Sequence, residues 1–174
     1  MKETLAVVNQ MQAAGAIGKY AIGGAVGATV YLEPAATLDI DIFVSFRDQP
    51  GSLIISLEPI YDYLVRGRGY KTEAEYIIVE GWHVQFLPAD DRLLQEALDQ
   101  AVPLALGEVQ TWVMTAEHLM AIALRTGRRK DDQRLEQFME SGRFDEKKLE
   151  EILQRNDLLD KWNKFTDKYN RRDT

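Results

Sequence analysis

Apolar positions up to residue 114 alternate between the spacing of helices and that of strands. The helical spacing of Leu5, Val8 and Met11 predicts an N-terminal helix that ends before Gly15. The further elements predicted in this part are a strand over 20–22 that turns at Gly23-Gly24, a short helix over 25–32 ended by Pro34, a strand over 38–46, a turn over 47–51, a helix with Leu53, Leu57, Ile60, Tyr61 and Leu64 on one face, antiparallel strands over 75–80 and 82–87, a helix that buries Leu93, Leu94, Ala97, Leu98 and Ala101, and a strand over 109–114.

From Thr115 onward the apolar spacing is helical throughout, and Thr115 and Asp145 are suitable N-caps for two of the helices. Helices and strands that alternate, followed by a cluster of helices, indicate an α/β (α+β) protein with a mixed sheet, flanking helices and a C-terminal helical subdomain. We therefore predict an α/β domain over 1–114 and a helical subdomain over 115–174.

Composition narrows the possible chemistry. The chain has 174 residues, enough for one ordinary domain, and 0 Cys, which excludes thiolate metal sites and cysteine nucleophiles. The net charge is −7, with 7 basic and 15 acidic side chains in residues 1–114 and 14 basic and 13 acidic in 115–174. No apolar run approaches the roughly 20 residues of a membrane span, and the acidic start is a poor signal peptide. We expect a soluble cytoplasmic protein without a membrane partner.

Two aspartates on the predicted strand over 38–46 carry the clearest chemical signal. Side chains alternate along a strand, so Asp39 and Asp41 share one face, roughly 7 Å apart, while Ile40 and Ile42 enter the core. Such carboxylates repel each other unless a cation lies between them, and Mg²⁺ or Mn²⁺ takes oxygen ligands of this kind. The alternative is a solvated face of an edge strand.

A glycine pair precedes the acid pair by 15 residues, the distance from Gly24 to Asp39. Gly23-Gly24 after a strand and before a helix lets the backbone approach an anion closely, although such a pair is often only a turn. The spacing suffices for one short helix and a returning strand, which brings both signals to one end of a sheet. An anion cradle beside a metal-binding acid pair is what phosphoryl or nucleotidyl transfer requires.

Other polar residues allow two interpretations each. A basic cluster is either a solvated helix face or a clamp on a triphosphate or a polyanionic acceptor. His83 is expected to be structural, and His118 is expected to be a surface or boundary residue on a helix. The basic cluster comprises Arg125, Arg128, Arg129, Lys130 and Arg134.

The stretch Ile22-Gly23-Gly24 and the stretch Leu38-Asp39-Ile40-Asp41-Ile42-Phe43 together resemble the signature of the polymerase-beta-like nucleotidyltransferase superfamily. The resemblance implies that the Gly pair contacts the phosphates of a nucleoside triphosphate and that Asp39 and Asp41 hold Mg²⁺. Residues 116–124 and Arg129-Lys130-Asp131-Asp132 resemble the helical subdomain of the AbiEii-like toxin branch, in which a Lys-Asp pair faces the site. Lys130 and Asp131 are then nucleotide-binding residues, and Lys130 neutralises phosphate charge.

One position departs from that pattern. The superfamily places a third carboxylate on a later strand, and the matching residue here is Gln85, which is neutral. Glu80 or Glu75 could replace it only in a different strand register. Two functions therefore stay open: a Mg²⁺-dependent nucleotidyltransferase that acts on RNA, a protein or a small molecule, with a cognate antitoxin as a possible partner, or a nucleotide-binding or partner-binding module with the same fold.

Overall fold

A computed structural model of the chain describes residues 1–34, 37, 39–46 and 56–171. Within these residues seven strands form one mixed sheet in the order β3-β4-β5-β2-β1-β7-β6. The strand β2 lies antiparallel to β1 and parallel to β5, and β1 lies parallel to β7. The strands are β1 Tyr20–Ile22, β2 Asp39–Val44, β3 Lys71–Glu73, β4 Tyr76–Val79, β5 Trp82–Pro88, β6 Val102–Leu106 and β7 Val109–Val113.

Helices cover both faces of this sheet, and four of them follow β7 in succession. Thr115 and Asp145 cap two of these C-terminal helices, because their side chains accept hydrogen bonds from the backbone N–H groups of His118 and Lys148. Both capping predictions are confirmed. The helices are α1 Lys2–Ala13, α2 Gly24–Ala28, α3 Glu58–Tyr61, which continues as a π-helical turn over Asp62–Arg66, α4 Arg92–Asp99, α5 Ala116–Thr126, α6 Arg129–Ser141, α7 Glu146–Arg155 and α8 Leu159–Asn170.

Alternation along β2 separates two apolar clusters on opposite faces of the sheet. Ile40, Ile42 and Val44 are buried in the cluster that includes the apolar face of α1 and residues of α3. Phe43, on the opposite face, is buried in the cluster that includes α4 and the C-terminal helices. Asp39 and Asp41 alternate with the isoleucines, so they lie on the face that carries Phe43 and the C-terminal helices.

The predicted mixed α/β sheet with a C-terminal group of helices is confirmed, with differences in single elements. The short helix predicted over 25–32 occupies only Gly24–Ala28, and a turn follows it. The predicted turn over 47–51, the start of the strand at Leu38 and the helical position Leu53 lie outside the described residues. The division at residue 114 stays a prediction. None of the described helices combines the length and apolar character that crossing a bilayer requires.

Candidate functional site

The two aspartates project from the start of β2 toward the side of the sheet where the C-terminal helices pack. Asp39 is exposed and Asp41 is half-buried, whereas Ile40 and Ile42 are fully buried on the other face. Core packing of the isoleucines thus determines where both carboxylates point. The register of β2 is strongly specified, since a slip of one residue would bury both acids.

The glycine turn after β1 lies directly against Asp41. The backbone N–H of Gly23 donates a hydrogen bond of 2.9 Å to the carbonyl oxygen of Asp41. A Cβ atom added to Gly24 would lie 1.8 Å from Oδ2 of Asp41, and Gly24 has φ +57°. Both its backbone conformation and this close approach therefore require glycine. The structure brings together the glycine turn and one member of the acid pair.

The first turn of α6 supplies positive charge to the same place. α5 ends at Gly127, which adopts the left-handed conformation, and the chain then enters α6 with Asp131 in the first turn. The charges of Lys130, Arg128 and Arg134 all act on the carboxyl group of Asp41. Lys130 is exposed. We call the place where the acid pair, the glycine turn and the first turn of α6 meet the cleft, and its side formed by Arg128, Lys130 and Arg134 the cationic wall.

Asp131 is buried beneath this cationic wall. Its Oδ2 accepts a hydrogen bond of 2.7 Å from Nε of Arg128, and its Oδ1 lies 3.3 Å from Nη1 of Arg134. The same carboxylate also accepts from the backbone N–H of Arg128. Hydrogen bonding to Asp131 raises the pKa of Arg128, and burial lowers the pKa of Arg134. In this structure Asp131 positions two arginines and has little surface of its own.

Opposing effects act on the charge of Asp41. Burial raises the pKa of its carboxyl group, the three cations lower it, and the neighbouring charge of Asp39 raises it again. The resulting pKa lies above the ordinary value, so the ionised form is disfavoured relative to an exposed aspartate. Within the described part of the chain no ion pair engages Asp39 or Asp41. A further cation bound between the two carboxylates would relieve the repulsion between Asp39 and Asp41.

Gln85 stands beside Asp41 on the neighbouring parallel strand. The register of β2 and β5 pairs Asp41 with Gln85 and Asp39 with His83. This register agrees with the one predicted from the sequence, so Glu80 does not take the place of Gln85. Glu80 lies in the turn after β4, where its carboxylate accepts a hydrogen bond from the hydroxyl group of Tyr70. The position of the third carboxylate therefore carries a neutral amide.

The donor atoms present fit a single hard divalent cation. Asp39 and Asp41 offer two carboxylates that form no ion pair with any residue the structure describes, and the Gln85 amide can add a carbonyl oxygen. Among the described residues no group of three His, Cys, Asp or Glu side chains is placed to hold a metal ion. Mg²⁺ commonly completes its shell with water and substrate phosphates, so two carboxylates suffice for a shared ion.

His118 and Arg125 lie outside the cleft and contribute to the packing of α4 and α5. His118 is fully buried, so the expectation of a surface or boundary position is wrong. Its Nδ1 lies 2.8 Å from Oγ1 of Thr115 and its Nε2 lies 3.6 Å from Glu96. Arg125 forms a 2.7 Å ion pair with Asp91, the N-cap of α4, and so serves helix packing.

Sequence reasoning missed Tyr76 and Glu73, which lie beside His83 on the same side of the sheet. Tyr76 and His83 form an edge-to-face ring pair, and Nε2 of His83 is 3.3 Å from Oε2 of Glu73. The signal available was alternation: Tyr76 and Ile78 alternate with buried Ile77 on a strand that pairs with β5.

Comparison with known proteins identifies the fold. No protein-family model matches the sequence, and no curated protein matches it. The structure is similar to the crystal structure of an antigenic nucleotidyltransferase-like protein from Paracoccidioides brasiliensis, with a TM-score of 0.57 and 14% sequence identity over 80% of this chain and 74% of that chain. At this identity the similarity concerns the fold. The chain therefore has a nucleotidyltransferase-like fold, a mixed α/β sheet with C-terminal helices.

Proposed function

We propose that this protein is a Mg²⁺-dependent nucleotidyltransferase that transfers the nucleoside monophosphate group of a nucleoside triphosphate to a nucleophilic group of an acceptor and releases pyrophosphate. One observation carries the proposal: the half-buried carboxylate of Asp41 lies against the Gly24 backbone, and the charges of Lys130, Arg128 and Arg134 favour its ionised form. Two carboxylates that form no ion pair within the described part of the chain, beside the backbone of a glycine turn and three cations, suit a polyphosphate bound through a metal ion.

Each residue of the cleft has a distinct part in this proposal. Asp39 and Asp41 hold Mg²⁺ or Mn²⁺, which when bound supplies Lewis-acid stabilisation of charge on the phosphates. The backbone of Gly23 and Gly24 approaches the phosphates closely. Lys130 neutralises phosphate charge from the exposed rim of α6.

Asp131 contributes to nucleotide binding through the arginines that it positions. Its carboxylate is hydrogen-bonded to Arg128 and ion-paired with Arg134, so both guanidinium groups are held near Asp41. Guanidinium groups suit phosphate oxygens because several N–H donors lie in one plane.

The acceptor and the biological setting are also matters of proposal. RNA, a protein and a small molecule are the candidate classes. The motifs in α5 and at the start of α6 resemble those of AbiEii-like toxins, which supports a role in a toxin–antitoxin pair with a cognate antitoxin. A small DNA-binding protein encoded beside this chain would support that assignment.

Gln85 favours a second candidate function. A neutral amide beside Asp41 cannot supply the charge or the proton acceptor that a third carboxylate provides. The protein would then be a nucleotide-binding or partner-binding module with weakened turnover. A nucleotide-binding module shares the nucleotide and the metal ion with the transferase, so turnover separates those two, whereas a partner-binding module would bind no nucleotide.

The test uses all four α-labelled nucleoside triphosphates, with total RNA, the protein itself and a small-metabolite extract as acceptors. We expect label transfer that requires Mg²⁺ and is abolished by a chelator. Gln85→Asp should increase the rate several-fold, since a third carboxylate strengthens metal binding, although its shorter side chain limits the gain. Nucleotide binding without transfer in both proteins would favour the nucleotide-binding module, whereas absence of nucleotide binding would exclude the transferase and leave only the partner-binding module.

A further inference from the structure

The face of the sheet that carries the acid pair continues across β5, β4 and β3. Asp39 is paired with His83 across β2 and β5, and His83 is paired with Ile78 across β5 and β4. Tyr76 alternates with buried Ile77 and so lies on the same face, beside the position of Gln85. The acid pair therefore has two neighbours on this face: the glycine turn on the β1 side and an aromatic pair on the β5–β4 side.

This pair, Tyr76 with His83, is held in a defined geometry. The ring centroids are 5.6 Å apart at 86°, a favourable edge-to-face arrangement. Nε2 of His83 lies 3.3 Å from Oε2 of Glu73 on β3, which orients the imidazole. Both rings are only half-buried, so part of each ring surface is open to a ligand.

The aromatic pair borders the proposed catalytic cleft. Burial and, after it, the charges of Asp39, Glu75 and Asp41 raise the pKa of the Tyr76 phenol. Tyr76 also acts electrostatically on Arg128 of the cationic wall. A ligand bound at the acid pair would thus meet backbone on one side and an aromatic surface on the other.

We propose that Tyr76 and His83 form the subsite for the nucleobase of the triphosphate bound at Asp39 and Asp41. This inference rests on the proposed function and adds where the base lies. The acid pair lies between the glycine turn and the aromatic pair. If the terminal phosphates lie at the glycine turn, the ribose and base therefore extend from the α-phosphate toward β5 and β4. Every nucleobase offers a planar surface for stacking on an aromatic side chain, so the subsite takes a nucleobase.

The test compares two kinds of probe by calorimetry in the presence of Mg²⁺: the four nucleoside triphosphates, and inorganic tripolyphosphate, which lacks a base. Tyr76→Ala should weaken triphosphate binding by roughly 5- to 150-fold, the usual contribution of one stacked base. Binding of tripolyphosphate should stay within about two-fold, because the phosphate and metal contacts are unchanged. Tyr76→Phe keeps the ring and should therefore restore most of the triphosphate affinity that Tyr76→Ala loses. His83→Ala provides an independent variant if Tyr76→Ala melts well below the wild type.

Several outcomes would overturn the base subsite. Unchanged nucleotide affinity in both alanine variants would place the base elsewhere. Equal weakening of nucleotide and tripolyphosphate would show that the ring supports the phosphate site and not the base. Weakened binding of a short single-stranded oligonucleotide, with nucleotide binding unchanged, would assign the rings to the acceptor. If the wild type binds neither probe, the proposed function itself fails, and this is a separate result.

Discussion

Gly24 shows how closely the glycine turn and the acid pair are matched. A side chain at this position would meet Oδ2 of Asp41, and the φ of +57° disfavours any residue with a Cβ. Gly15 has a similar φ of +76° but nothing within 4 Å of the position of its absent Cβ. The two glycines therefore separate the effect of backbone conformation from that of close contact.

Gly24→Ala should lower the free energy of unfolding by about 1–3 kcal/mol and weaken binding of nucleotide with Mg²⁺, because Asp41 must move. Gly15→Ala should cost about 1 kcal/mol and leave binding unchanged. Denaturant melts and calorimetry measure both quantities. Equal effects of the two substitutions would show that contact with Asp41 is unimportant.

At the same scale, alternation along the sequence predicted the face of Asp39 and Asp41 correctly, because a strand repeats every two residues. The burial of His118 was not predictable in this way. It depends on the packing of α4 and α7: Glu96 of α4 lies 3.6 Å from the imidazole and forms an ion pair of 2.6 Å with Arg155 of α7. Packing between distant segments leaves no local pattern in the sequence.

At the scale of the elements, the start of α6 is stabilised by a buried aspartate, Asp131, in its first turn. Asp131 is 1% exposed and bonds Arg128 and Arg134, whereas the next residue, Asp132, is partly exposed and pairs with Lys168 at 3.6 Å. Removing a buried partner leaves an uncompensated charge, while a surface pair contributes little.

Asp131→Asn should therefore lower the free energy of unfolding by about 3–5 kcal/mol, and Asp132→Asn by no more than about 1 kcal/mol. For a chain of this size these losses correspond to midpoint shifts of about 2–4 °C per kcal/mol. Thermal melts of the two variants give the comparison directly. Similar melting midpoints would contradict the role assigned to the buried carboxylate.

Strands with a clear run of apolar residues were predicted correctly, and β1 has the predicted bounds Tyr20–Ile22. Two strands were missed, and both lie at the edges of the sheet. All residues of β3 are exposed, so Lys71–Glu73 has no apolar alternation, and β6 contains Pro103, which argues against a central strand. Both strands form because they pair with a neighbouring strand, and the sequence of the strand itself does not show that pairing.

For the whole molecule, the cleft arises where three distant parts of the chain meet. The turn at Gly23-Gly24, the acid pair of β2 and the start of α6 are brought together by the sheet order and by the packing of α5 and α6 against each other. The sequence motifs predicted the first two as neighbours. The basic cluster at the start of α6 was recognised as a possible phosphate clamp, but only the family resemblance placed Lys130 beside the acid pair, since no local spacing relates Lys130 to Asp41.

The central claim is that Asp39 and Asp41 bind a nucleoside triphosphate through Mg²⁺, and the double variant Asp39→Asn with Asp41→Asn tests it. The pKa of Asp41 is raised in the folded state, so its ionised form lowers stability at neutral pH. This loss of stability is absent at a pH below the pKa of Asp41 in the unfolded chain, and it is fully present at a pH above the pKa of Asp41 in the folded protein. The double variant should thus melt no lower than the wild type, so loss of binding cannot be attributed to unfolding.

The most direct measurement is the melting midpoint of both proteins with and without nucleoside triphosphate and Mg²⁺. A ligand at 100 times its Kd stabilises the fold by about 2.7 kcal/mol, so the wild-type midpoint should rise by about 5–10 °C. The double variant should show no rise, whereas Asp90→Asn, which removes an exposed aspartate beyond the other end of β5, should respond like the wild type. An equal rise in the double variant, or no rise in the wild type, would contradict the assignment of the site.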